Sequence, residues 1–257
     1  MKNTDFKLHL AAQYLATVAK NYIEAQSDDS HTNLGWIAET NSFSTRKLSN
    51  GDTLELRACS MVLNWNGMSA GTFNLNGSRH QDVLEWLNAM AKSNGLENYV
   101  FDLHYSIDSG EFNDDLSFSM VDSDRCDILA KWRNNAYKSC ENVLVNLGLE
   151  GEVRTWPHHF DTGSYIPVAG TEIGIGFGMA IPDINSKDYY LYTSAYQGHD
   201  GMSTKGLAPL TKGSWKEGDW KGAMLSVEGL ALSDYETFFF EAISIFLKQS
   251  KLNAEAS

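Results

Sequence analysis

Two five-residue segments of the same spacing constrain the fold most: His31-Thr32-Asn33-Leu34-Gly35 and His159-Phe160-Asp161-Thr162-Gly163. Runs of alternating apolar residues follow each of them and lead to an amphipathic stretch. The order helix, H-x-N/D-x-G, strands, helix thus occurs twice. It predicts an α+β fold with two pseudo-repeated halves of antiparallel strands flanked by helices. Residues 1–95 form the first half in this reading, 96–121 are bridging strands, and 122–257 form the second half, all packed as one unit.

Phe6, Leu10, Tyr14, Val18 and Tyr22 stand four apart, the period of an amphipathic helix. His9 lies off that line and reads as a surface or boundary residue. Of four Asn-Gly pairs, Asn50-Gly51 and Asn66-Gly67 sit between β-like runs and predict hairpin turns, because both residues tolerate positive φ. Between them Leu54, Leu56, Ala58, Ser60 and Val62 alternate with Glu55, Arg57, Cys59 and Met61, as in one strand of a meander over residues 42–75. A helix is expected over residues 79–92. Tyr99–Met120 reads as strands, with Phe101, Leu103, Tyr105 and Ile107 opposite Asp102, His104, Ser106 and Asp108. Further helices are expected from Asp124 to Leu147 and from Asp234 to Gln249. EIGIGFGMA alternates Gly174, Gly176 and Gly178 with Ile173, Ile175 and Phe177, a strand with one bare face and not a phosphate-binding turn. On the strand DYYLYTSAY, Tyr190, Tyr192 and Tyr196 share one face. The long stretch Gly198–Trp220 reads as a lid or a solvated connection.

Thirty-three acidic residues against 20 basic give a formal charge of −13. No basic run is longer than Arg46-Lys47, so nucleic acid is rejected as a partner, and so is an anionic membrane surface. No apolar segment is long enough to span a bilayer, and the N-terminus lacks the pattern of a signal peptide. Three cysteines with no C-x-x-C pair read as reduced thiols in a cytoplasmic protein. Cys126 and Cys140 fall about four helical turns apart and would share a helix face.

The candidate chemistry lies in the two H-x-N/D segments. If they are extended, residues two apart point the same way. His159 then sits beside Asp161, and His31 beside Asn33, so that the two pairs line one polar cleft between the halves. His159 would be a general base oriented by Asp161, with His31, Asn33 and His104 as ligand-binding residues. Alternatively His31, His159 and Asp161 would ligate a divalent metal as cofactor. A small polar molecule is the expected partner, with hydrolytic or proton-transfer activity. The competing reading is a non-catalytic binding or interaction module in which the same residues hold strand ends together. Composition and spacing leave the oligomeric state open.

The segments Ser30–Trp36 and Trp156–Asp161, with Leu8–Gln13 and Leu103–Tyr105, resemble a family of bacterial proteins that carry SHTNLGW-like and WPxHFD motifs. The resemblance covers nearly the whole chain but implies no activity, because none is established for the family. It places His9, His31, Asn33, His104, His159 and Asp161 inside family-like motifs. The family often has Glu where this chain has His158. Before its tyrosine-bearing strand the family carries an acidic turn; this chain reads GMAIPDINSKDYYLY there, which leaves Asp183 or Asp188 to substitute.

Overall fold

The computed structural model describes residues 2–107, 112–113 and 115–255. The chain is α+β, with two sheet-containing halves, each flanked by helices. It divides into two units, residues 1–131 with 155–160, and residues 132–154 with 161–257. The boundary at 131–132 falls inside a helix, that at 154–155 inside a strand, and that at 160–161 inside the WPHHFDTG motif. No helix among the described residues is long and apolar enough to cross a membrane.

The first unit begins with α1 (Lys2–Tyr22), followed by β1 (Gly35–Ile37), β2 (Ser42–Ser44), β3 (Thr53–Arg57), β4 (Val62–Asn66) and β5 (Gly71–Asn74), then α2 (His80–Ser93). The five strands form an antiparallel meander in sequence order. Asn50-Gly51 lies in the β2–β3 connection as expected, with Gly51 at φ 89°, whereas Asn66 ends β4 and Gly67 opens the β4–β5 connection without positive φ. The expected single strand from Leu54 to Val62 instead folds back at Ala58–Met61, where Met61 takes φ 51° and is fully buried. No Asn-Gly pair marks that turn. The buried positions pass from Leu54, Leu56 and Ala58 to Met61, Leu63 and Trp65, so the apolar phase shifts by one residue at the turn, a shift that the reading of one continuous alternation ran through.

Residues from Leu8 to Ala19 of α1 are all buried. An apolar face would not suffice there, since His9, Gln13 and Thr17 go under with the rest. Their polar atoms are satisfied: Gln13 Nε2 donates to the Pro157 carbonyl at 2.9 Å, and Thr17 Oγ1 to the Gln13 carbonyl at 2.9 Å. A buried group left without such a partner would cost about 1–3 kcal/mol. Further along the helix, Tyr14 packs against His80, Phe101, Phe112 and Phe118.

Two sequence readings of this unit need correction. Among the described residues the bridging strands do not form, since residues 99–107 are in no strand and Ser117 makes only an isolated bridge to Arg79. Asp108 lies outside the described residues. The segment is instead fastened by side chains, with Asn21 donating to the Val100 carbonyl and Tyr99 bonded to Thr17. Secondly, the cysteines are not all reduced: Cys59, in the Ala58–Met61 turn, is bonded to Cys126 at the start of α3 (Ser123–Leu147). Cys140 is buried and free. Cysteine usage therefore does not point to a reducing, cytoplasmic setting.

After α3 come β6 (Arg154–Trp156), β7 (Asp161–Pro167), β8 (Ile173–Ala180), β9 (Tyr190–Gln197), β10 (Asp200–Gly201), β11 (Ser214–Lys216), β12 (Gly222–Ser226) and α4 (Leu232–Glu255). In the second unit β11, β12, β9, β8 and β7 lie side by side, and β10 pairs with β9. Phe177 of β8 meets Phe239 of α4, and both are fully buried with Phe238, Ile243 and Phe246. Each such side chain contributes about 1.5–3 kcal/mol. The other face of β8 is the bare one, and the register sets its glycines against tyrosines: Gly178 opposite Tyr192, Gly174 opposite Tyr196. Tyr165 of β7 lies over Gly174, where a Cβ would collide with its ring. Gly163 and Gly178 face each other so closely that a side chain on either would strike the neighbouring backbone. The stretch Gly198–Trp220 is fixed to β11, with Thr204 donating its hydroxyl to the Lys216 carbonyl and its amide to Glu217.

Candidate functional site: a histidine cluster in the first unit

Neither H-x-N/D segment is extended. Ser30–Thr32 is a short 3-10 turn entered through Asp29 at φ 59°. Residues 157–160 form a turn in which the Phe160 amide donates to the Trp156 carbonyl at 2.7 Å, and Phe160 takes φ 57°. The alternation of an extended chain, in which residues two apart point the same way, is therefore interrupted at both places. What joins the motifs is backbone: Leu34 and Thr155 exchange two hydrogen bonds of 2.8 Å in an isolated antiparallel bridge.

That bridge brings the WPHHF turn to α1 and to the segment around His104. The His9 ring is stacked on Phe160, and its Nε2 is 2.8 Å from the Pro157 carbonyl. His9 and Gln13 of α1 thus fix the turn through the Pro157 carbonyl, which corrects the surface reading of His9. The Tyr105 hydroxyl donates to Gln13 Oε1 at 2.7 Å, and its ring packs on His158. His158 and His159 have ring centroids 4.2 Å apart. His104 packs on Tyr105, and its Nε2 is 3.2 Å from Asp29 Oδ2.

The cluster's electrostatics follow from this crowding. Burial, reinforced by His159, His9 and His104, pushes the His158 imidazole down to about 4; Asp29 opposes the shift. Burial and Asp29 raise the Tyr105 phenol above its ordinary value. At neutral pH His158 is then an uncharged ring able to donate one hydrogen bond and accept another. The Asp29 carboxylate, 3.2 Å from His104 Nε2, orients that ring, the arrangement of an imidazole placed for proton transfer.

Of the residues singled out on the sequence, His104 and His159 belong to this cluster. His31 is buried in the adjoining turn, where its Nδ1 accepts from the Gln26 amide at 3.2 Å. Asn33 is 2% exposed and its Oδ1 has no hydrogen-bond partner among the described residues. Asp161 falls in the second unit and accepts from the Tyr192 hydroxyl, whose pKa burial and that carboxylate raise. The carboxylate beside an imidazole is therefore Asp29. Among the described residues no group of three or more His, Cys, Asp and Glu side chains could hold a metal ion. The set His31, His159 and Asp161 accordingly forms no ligand group.

Asp29, Tyr105, Gln13 and His158 were not read from the sequence as site residues. One signal was available: polar residues at positions 9, 13 and 17 of an otherwise apolar helix form a stripe with four-residue spacing, which marks a buried hydrogen-bonded ladder.

The chain matches no protein-family model, and neither the curated proteins nor the solved structures contain a match.

Proposed function

We propose that the histidine cluster binds a small polar ligand and that the Asp29–His104 pair serves it in proton transfer. The observation that carries this reading is convergence. His9, Asp29, His104 and His159 come from four distant segments, and all act electrostatically on the His158 ring. A neutral His158 suits hydrogen bonding to an uncharged polar group, and His159 beside it supplies a second ring nitrogen. Asp161 and a metal have no part in this proposal.

A screen of hydroxy acids, amino acids, polyols and nucleosides by thermal shift, followed by imidazole NMR, tests it. A ligand should raise the melting temperature of the native chain but not that of His158→Gln or His104→Gln, and should move the resonances of those two rings. The reading fails if no compound perturbs the rings, or if a binding compound protects both variants equally. A structural role is the second reading, favoured for His9 and His31 by their bonds to the Pro157 carbonyl and the Gln26 amide. Replacing either should lower stability without altering ligand response.

A further inference from the structure

The second unit carries a groove of about 680 Å³, within the range of small-molecule sites. Val143 near the end of α3, Pro209 of the long connection, and one side of α4 line it. On α4, Glu236 and Phe240 stand four apart, as do Glu241 and Ile245, so these residues share the helix surface that faces the groove. Phe240 is 46% exposed there, whereas its neighbours Phe238 and Phe239 are fully buried. The only ionisable residues in the lining are Glu236 and Glu241, both half-buried. Each carboxylate is held in place. Asn142 donates to Glu236 Oε1 at 2.6 Å, and Thr211 donates its amide and hydroxyl to Glu241 at 2.8 and 3.1 Å.

We propose that this groove binds an organic cation with an apolar body. The two carboxylates would repel an anion, and a neutral apolar molecule would cover them without giving them a partner. An ammonium group answers both carboxylates and is also attracted to the face of an exposed aromatic ring such as Phe240. The apolar body would lie against Val143, Pro209 and Ile245. This site belongs to the second unit and does not depend on the histidine cluster.

Isothermal titration of the full chain with phenethylammonium, phenethyl alcohol and phenylacetate, which share a body and differ in charge, tests the proposal. The ammonium should bind tightest and the carboxylate weakest, and added salt should weaken the ammonium alone. Glu236→Gln and Glu241→Gln should each reduce ammonium affinity by about threefold, the size of a partly exposed charge contact. Alcohol binding should stay the same, since Gln keeps an acceptor for Asn142 or Thr211. The proposal is overturned if the alcohol binds as well as the ammonium, if the ammonium does not saturate, or if neither variant changes its affinity. The first two outcomes are read on the unaltered chain and do not depend on any variant folding.

Discussion

In the first unit the rings around His158 come from positions 9, 104 and 159, whereas in the second unit the tyrosine–glycine face is laid down by β8 and β9, which follow each other along the chain. The first arrangement is held by a few side-chain bonds to one turn, among them Gln13 to Pro157 and Tyr105 to Gln13. The second is held by the ladder itself, eight residue pairs from Ile173–Gln197 to Ala180–Tyr190. A feature built by register tolerates loss of a side chain but not a slip of the backbone. A feature built by distant segments should respond in the opposite way.

The largest expected difference concerns the disulfide, which closes a long loop in the first unit while the second has only the free Cys140. Cys59→Ser should cost about 2–4 kcal/mol. Hydrogen exchange should quicken in β3 and β4 more than in β8 and β9; equal quickening would mean that the two sheets open together. Next comes the ladder. Gly178→Ala should cost about 1–3 kcal/mol through backbone collision, while Gly176→Ala, whose nearest neighbours are 3.8 Å away, should stay within about 0.5 kcal/mol of neutral. Chemical denaturation of the two variants checks this, and equal losses would remove the close approach of β7 and β8 as the cause. His9→Ala should cost about 2 kcal/mol through the lost bond and stack, against about 1 kcal/mol for Tyr192→Phe, which keeps its ring.

A further effect is one of pH. The folded His158 titrates near 4 and the free imidazole near 6.5, so between these values the unfolded chain holds more of the proton. Stability should fall as pH drops below 6.5 and stop responding to this group below about 4. His158→Gln should flatten that slope in pH-dependent denaturation curves, and an unchanged slope would place the titration elsewhere.

The sequence made the local features legible. Alternating glycines on one strand, tyrosines sharing a face of another, and the four long helices all follow from short-range spacing, and α2 begins within a residue of its expected start; that those glycines face those tyrosines is set by register, which spacing does not reveal. The repeated order of helix, strands and helix is present too. The site was legible only in part, because the four quoted motifs do meet, but not by the assumed geometry. Two left-handed residues, Asp29 and Phe160, turn the segments away from extension, and non-glycine residues rarely declare such a conformation in sequence. The bridging strands failed for a related reason: the alternation from Phe101 to Tyr105 records contacts with α1 and its neighbours and not a ladder.

The cysteines carry a practical consequence. Maleimides react with thiolates, and Cys59 and Cys126 are joined while burial pushes the Cys140 thiol well above its usual range. The native chain is therefore silent to such reagents. One cysteine introduced at fully exposed Ile184 or Met68 would carry a fluorophore to a single address, with all three natural sulfurs left in place.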